Sequence, residues 1–367
     1  LKNSRSPTTY LLNPPDELKL YESVGNTDKT VTVLRFENNK GAELGSLFWY
    51  PVHPVSLNNT NLLQSSDNKG YASYAFEKYK NGPDSLPGQG PFIAACSQGN
   101  EGDVSCNTMG TSCPDGSPCE PVHSTCGGKV DGCRGKGPGK NDDNMESLKI
   151  IGNLQFDAAK RIYENATRKL SGKIQFRHSF VYFTNLTVSA EYTGNGKPGK
   201  TCQAALGASF LAGTTDGNGF HFIQGDNTTL NPFWTFVRQF IAKPTQEQID
   251  CQYPKPILLD VGLTKPYPWV PSILPIQMFT IGQDLVILAV PAEMTTMAGR
   301  RLRRRIHATL KKYGAATDDT IIVIAGLTNE YCQYCATFEE YNGQRYEGAS
   351  TLYGPHTHAA YMQEFDK

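Results

Sequence analysis

The sequence predicts a mixed α/β protein, and three observations carry that prediction. Short runs of β-branched and aromatic residues recur between Gly, Pro and Asn breaks along the whole chain. Two longer segments instead repeat apolar residues every four positions, which is helical spacing. Toward the C-terminal end a strand, one of those helices and another strand follow in succession, as in a βαβ unit.

The strand-like runs are TVTVLRF (30–36), SLFWYPVH (46–53), PFIAAC (91–96), FRHSFVYFTNLTVS (176–189), PILLDVG (256–262), QMFTIG (277–282), DLVILAV (284–290) and TIIVIAGL (320–327). The first helical segment spans 146–168, with Ile150, Leu154, Ala158 and Ile162 on one stripe. The second spans 294–314, with Ala298, Leu302, Ile306 and Leu310, and stops at Gly314. No internal repeat or low-complexity linker interrupts the pattern. Residues 97–145 carry almost no periodicity, and so long a connection needs another source of order. Cross-linking by the cysteines within it would supply one.

A chain of 367 residues, 38% hydrophobic and 19% charged, is long enough for two or three ordinary domains or one large enzyme domain with long loops. Its 35 basic and 35 acidic residues cancel, so no global field drives it toward nucleic acid or an anionic membrane. The most apolar stretch, ILPIQMFTIGQDLVILAV, is broken by Gln277 and by Gly282-Gln283-Asp284, and reads as two strands rather than a membrane span. The chain starts at Leu1 without a signal-peptide pattern, and processing or truncation is expected to account for that start. Cys113, Cys119, Cys126 and Cys133 lack the paired C-x2-C spacing of a structural zinc site. Ten cysteines and the sequons at Asn58, Asn165, Asn185 and Asn227 point to an oxidising secretory compartment, with an extracellular or cell-surface destination.

The candidate chemistry is weak when each motif stands alone. Ser105, behind Gly102, Asp103 and Val104, is not in a G-x-S-x-G elbow, and the bland reading is a turn residue with Asp103 as an Asx-turn acid. The run RRLRRR (300–305) reads as the solvated face of a helix rather than a nucleic-acid patch. GKGPGK (135–140) lacks the Ser/Thr and glycine spacing of a phosphate loop. His53 ends a strand-like run, with no second histidine at ligand spacing. Glu293 sits where a strand hands over to a helix, which is equally a place for a dipole-complementing carboxylate and for an active site. Tyr331, Tyr334 and Tyr346 crowd the loop after the last strand.

Taken together, these segments resemble the neutral ceramidase family from end to end. The likeness runs through SRSPTTYLLNP (4–14), WYPVHPVSLNNTN (49–61), SSDNKGYASY (65–74), LPGQGPFIAACSQGNEGDVS (86–105), HSTCGG (123–128) and KGPG (136–139). It continues through PFWTFVRQFI (232–241), KPILLDVG (255–262), VPAEMTTMAGRRLR (290–303), NEYCQY (329–334) and QRYEGASTLYGPHT (344–357). The resemblance implies hydrolysis of the ceramide amide to sphingosine and a fatty acid at a zinc in a deep pocket, with substrate taken from a membrane surface. Carried over by motif, His53, Glu293 and Tyr334 match three of four zinc ligands. Ser105 matches the catalytic serine, as nucleophile or as binder of the sphingoid hydroxyl, and Arg5 with Tyr346 matches the pair that stabilises the transition state. It also implies the disulfides Cys113–Cys126, Cys119–Cys133 and Cys202–Cys251, leaving Cys96, Cys106, Cys332 and Cys335 over as structural or free thiols.

Three departures accompany the likeness. Cys106 stands where the family has proline, and Pro-Ala-Glu at 291–293 replaces Pro-Gly-Glu. The family's first zinc histidine lies in a Thr-His-Thr-His segment upstream of SRSP. Residues 1–367 are therefore expected to be a catalytic domain lacking its N-terminal part and the C-terminal immunoglobulin-like domain, with 97–145 as a disulfide-bonded loop inside it. Such a chain is expected to need the missing N-terminal segment, and to be inactive or unfolded alone. The competing readings are a hydrolase of other N-acyl lipids and a metal-free fragment that binds lipid or a partner.

Overall fold

The computed structural model describes residues 5–129, 132–219, 222–225 and 243–367; the sequon at Asn227 and the PFWTFVRQFI segment lie outside these. In chain order, β1 (Thr32–Glu37) and β2 (Glu43–Trp49) form an antiparallel pair, and α1 (Asp67–Asn81) leads into β3 (Ile93–Ser97), parallel to β2. After α2 (Asn144–Glu164) comes a second sheet. β4 (Ile174–Tyr182) is antiparallel to β5 (Ile273–Ile281), which turns through Gly282 (φ +52°) into β6 (Leu285–Ala289). The chain continues through the two-residue β7 (Glu293–Met294) and α3 (Thr296–Lys312) to β8 (Ile321–Ala325), parallel to β6. β9 (Tyr334–Cys335) lies parallel to β7, and α4 (Thr357–Asp366) closes the described chain.

The mixed α/β class and the βαβ succession are as predicted. Besides several short helices, two longer ones among the described residues go beyond the sequence reading. DNKGYASYAFEKYKN (α1) and THAAYMQEFD (α4) bury residues on most sides, so neither displays a clean apolar stripe. The strand expected at 176–189 stops at Tyr182, and the run at 256–262 shrinks to Ile257–Leu259 against Leu206–Gly207.

Alternation along the strands sets the layers. Val33 and Phe48 point to α1 and α2, where Phe48, Ala72, Phe76, Phe92, Ala159 and Tyr163 form one core. Their neighbours Leu34, Leu47 and Trp49 point the other way, onto Leu285, Ile287 and Val323 of the second sheet. The next residues of that sheet, Val286, Leu288 and Ile324, face Ala298, Leu302 and Ile306 of α3 and Ala360 and Phe365 of α4. The order is therefore helices, three-stranded sheet, four-stranded sheet, helices. The first sheet covers only part of the second. On β4, Ile174, Phe176, Phe180 and Tyr182 share one face and are 78%, 65%, 72% and 58% exposed.

The arginine run is not a solvated face. Arg300 is buried and donates to the Tyr10 hydroxyl and the carbonyls of Gly25 and Thr27. Arg301 and Arg304 pair with Glu17, Arg303 with Asp28, and Arg305 with Asp366 and Glu191. Arg300, Arg301, Arg303 and Arg304 bind α3 to residues 10–28, whose Leu11, Leu12 and Leu20 stay exposed, so charge rather than apolar packing makes this contact. The loop at 97–145 is nearly as irregular as expected, and the three disulfides implied by the family resemblance are present, with Cys96, Cys106, Cys332 and Cys335 free.

Two stability predictions follow from these contacts. Phe76 is fully buried against the rings of Phe48, Phe92, Phe156 and Tyr163, so Phe76→Ala is expected to cost about 3–5 kcal/mol in denaturant unfolding. Burial opposes ionisation of Asp28, but the charge and hydrogen bond of Arg303 and the Thr30 backbone N–H outweigh it and bring its carboxyl to about 2. A depressed carboxyl stabilises the fold above its unfolded value near 4, and the contribution disappears as pH falls through about 2. Acid titration of unfolding should show a loss of about 2 kcal/mol across that window, absent in Asp28→Asn.

Candidate active site

The six residues singled out in the sequence come from five separated segments. Arg5 precedes the first helical turn, His53 follows β2, Ser105 follows β3, and Glu293, Tyr334 and Tyr346 lie beyond β6 and β8. Backbone pairing brings three of the segments together. Glu293 and Tyr334 are direct partners across the β7–β9 ladder. Gly102 donates its N–H to the Met294 carbonyl at 2.8 Å, which fastens the 102–105 turn to β7. A Cβ on Gly102 would lie 2.7 Å from the Glu293 carbonyl oxygen, so only glycine permits this approach.

The side chains meet at Tyr334. His53 Nε2 lies 2.7 Å from Glu293 Oε2 and 3.1 Å from the Tyr334 hydroxyl. Its Nδ1 is 3.1 Å from the Val104 carbonyl, an acceptor only, so Nδ1 carries the hydrogen and Nε2 faces the carboxylate and phenol. Tyr331 donates its hydroxyl to Glu293 Oε1 at 2.5 Å. Burial opposes ionisation of Glu293, but His53, the Tyr331 hydroxyl and Arg5 together bring its carboxyl to about 2. Burial pushes the Tyr334 hydroxyl well up, against the opposing pull of Arg5.

Arg5 is buried, and its Nη2 donates to the Tyr334 hydroxyl at 2.8 Å and to the Gly102 carbonyl at 3.0 Å. Glu347 Oε1 accepts from Arg5 Nε at 2.8 Å, while Oε2 accepts from the Ser6 hydroxyl at 2.7 Å. The guanidinium also lies 5.3 Å and 5.4 Å from the ring centroids of Tyr334 and Tyr346, within cation–π range. Tyr346 packs edge-on to Tyr334 and stacks on Phe210, and its hydroxyl makes no hydrogen bond among the described residues.

Ser105 is placed differently. Its hydroxyl donates to Asp216 Oδ2, and the Asn107 backbone N–H donates to its oxygen at 2.9 Å. Asp103 is not an Asx-turn acid: its Oδ1 accepts from both the N–H and the hydroxyl of Thr296 at 2.7 Å, so it anchors the start of α3. Sequence reasoning missed Asp216 and Glu347, and named Tyr331 without giving it a role. The glutamate stood next to a named residue, but Asp216 sits in an ordinary turn sequence, TTDGNG, with no local signal. Glu101 was also missed. Its carboxyl is buried without a partner among the described residues, pushed well up by burial and by Glu293 nearby.

The four clustered cysteine sulfurs lie within 4.8 Å of one another, but as two disulfides they offer no thiolate to a metal. Cys332 and Cys335 are buried and free; the Cys332 thiol lies 3.0 Å from both the Pro291 carbonyl and the Tyr361 hydroxyl.

Layered sheets with a buried histidine, carboxylate and phenol where strands hand over to helices define an α/β protein with a polar site at the strand ends. The profile described as neutral/alkaline non-lysosomal ceramidase, N-terminal, matches residues 2–363, and the chain belongs to that family. It is 53% identical over 363 residues to neutral ceramidase A of Dictyostelium discoideum, covering 99% of this chain and 50% of that protein. It is 48% identical over 374 residues to neutral ceramidase of Drosophila melanogaster, with 99% and 52% covered. Among solved structures, a ceramidase complexed with C2 superposes with a TM-score of 0.77 at 38% identity, covering 99% of this chain and 50% of that one. The neutral ceramidase of Pseudomonas aeruginosa superposes at 0.74 and 36%, with 99% and 49% covered. The chain spans about half the length of these relatives.

Asp103→Ala is expected to leave the Thr296 N–H buried without an acceptor and to cost about 1–3 kcal/mol, read by denaturant unfolding.

Proposed function

We propose that the protein containing this chain is a zinc-dependent amide hydrolase that cleaves N-acylsphingosine (ceramide) to sphingosine and a free fatty acid. The observation that carries the reading is the convergence of His53 Nε2, Glu293 Oε2 and the Tyr334 hydroxyl within 2.7–3.1 Å in a chain of the ceramidase family. Nitrogen and oxygen donors suit zinc, and three protein ligands suffice for a catalytic site. The Val104 carbonyl on His53 Nδ1 is the outer contact that orients a metal-binding imidazole. When bound, zinc supplies a Lewis acid for the amide carbonyl and acidifies water.

The chain's own residues do the rest. Arg5, held by Glu347, and Tyr346 donate to the oxygen on which negative charge develops as the carbonyl becomes tetrahedral. Both are positioned before substrate arrives, so little reorganisation accompanies the reaction. Arg5 also favours the phenolate of Tyr334, which burial alone disfavours. Ser105 supplies either the nucleophile or the contact to the sphingoid hydroxyl.

The bare face of β4 supports a second part of the proposal: polypeptide matching the part of the relatives outside this chain packs there, and this chain alone is inactive. A row of exposed Ile174, Phe176, Phe180 and Tyr182 is an aggregation hazard unless something covers it. Three disulfides and exposed sequons at Asn58, Asn165 and Asn185 support passage through the secretory pathway. Among the described residues no helix is long and apolar enough to cross a membrane, and the lipid substrate implies access from a membrane surface.

The test is fatty-acid release from a short-chain ceramide by this chain and by the chain extended with its upstream coding sequence. Activity is expected only in the extended protein, with loss on chelation, restoration by zinc, and loss in Ser105→Ala. His53→Ala should remove bound zinc by elemental analysis. Activity in the short chain would overturn the second part; no cleavage of ceramide by either form would overturn the substrate.

A further inference from the structure

Three donors converge on Asp216. The Ser105 hydroxyl and the Asn107 side-chain amide reach Oδ2, the latter at 3.1 Å, and the Thr214 hydroxyl reaches Oδ1 at 2.6 Å. Such an environment suits a carboxylate, which only accepts. Burial opposes its ionisation, but the charge of Arg5 and these hydrogen bonds outweigh it and hold the carboxyl below its ordinary range. A serine oxygen has one hydrogen and two lone pairs. Here the hydrogen goes to Asp216 and one lone pair accepts from the Asn107 N–H, which leaves one lone pair unengaged.

The turn that carries Asp216 is itself held from outside. It joins the two-residue strands Gly213–Thr214 and Gly217–Asn218, and Gly217 pairs with Arg134, next to Cys133. Arg134–Gly135 pairs in turn with Thr111–Ser112, next to Cys113. The Gly135 N–H donates to the Asp216 carbonyl at 3.1 Å, and a Cβ on Gly135 would lie 2.7 Å from the Asp216 Cβ. From the other side, Arg345 donates to the carbonyls of Pro121 and Val122, to the Ser124 hydroxyl at 3.0 Å and to the Thr215 hydroxyl at 2.6 Å. One arginine next to Tyr346 thus grips both the disulfide-bonded loop and the residue before Asp216.

We propose that Asp216 is the positioning residue for Ser105: it takes the serine hydrogen so that the remaining lone pair of Oγ is presented to substrate, and the disulfide-bonded loop at 113–133 holds Asp216 in place. The role rests on the reading of Ser105 as a catalytic residue. Asp216 reaches the reacting centre only through its hydrogen bond with Ser105. Its effect passes through Ser105 alone, which separates it from a residue that merely keeps the loop folded.

A double-mutant cycle in the extended protein tests this, with Asp216→Ala, Ser105→Ala and the pair, on short-chain ceramide. Asp216→Ala is expected to lower kcat about 10- to 100-fold, the worth of one hydrogen bond to a charged group, with KM changed by less than about 3-fold. Asp216→Asn, which keeps an acceptor for Ser105, should recover part of that loss. In the Ser105→Ala background Asp216→Ala should cost nothing further. Equal losses in both backgrounds, or a fully active Asp216→Ala, would overturn the proposal. The same four proteins are compared by Tm, which reads the contact even where activity is too low to measure: non-additive Tm shifts are expected, and additive shifts would overturn it. Should the parent protein fail to cleave ceramide while the Tm cycle is non-additive, the substrate reading falls and the Asp216–Ser105 contact stands.

Discussion

One buried guanidinium organises the site. A charge taken out of water is tolerated only if its donors are satisfied, and Arg5 meets that demand by drawing three distant segments around itself. Glu347 comes from the helical turn Tyr346–Ala349 after β9, the Gly102 carbonyl from the turn after β3, and the Tyr334 hydroxyl from β9. Loss of any one partner leaves charge exposed to an apolar interior. The positions of Tyr334, of the turn carrying Ser105 and of the helical turn carrying Tyr346 are therefore tied to a residue at the edge of the described chain.

Around that centre the protein uses charge and covalent links where apolar surface is scarce. Residues 10–28 are held to α3 by Arg300, Arg301, Arg303 and Arg304, and the 113–133 loop by two disulfides and by Arg345. The layered core works differently, through alternation on β1, β2, β6 and β8 and through the ring cluster centred on Phe76. The division is physical. Strands with β-branched and aromatic residues on both faces pack without polar help, whereas Gly/Asn-rich loops cannot, and so depend on salt bridges and cross-links.

The functional consequence is preorganisation. Glu293 and Tyr334 face each other across a two-residue ladder, and the turn before Ser105 joins that ladder through Gly102 and joins His53 through Val104. Donor spacing is thereby set by backbone pairing rather than by flexible side chains, the condition under which electrostatic stabilisation costs least at the moment of reaction. The chain belongs to the ceramidase family, and the proposed chemistry rests on that membership together with this geometry.

Much of this was legible in the residues alone. The strands between 284 and 327 and the helix between them follow from periodicity, because β-branched runs and a four-residue repeat are local properties. His53, Glu293, Tyr334, Arg5, Ser105 and Tyr346 were named together only through the resemblance to the ceramidase family, since each motif alone is weak. Tertiary structure alone decided the rest. It turned RRLRRR from a solvated face into a set of ion pairs, made Asp103 the anchor of α3, and brought Asp216 across 111 residues to Ser105. Local sequence encodes which surfaces a segment offers; which surface meets which depends on long-range packing, where a residue's partner leaves no mark on its neighbours in the chain.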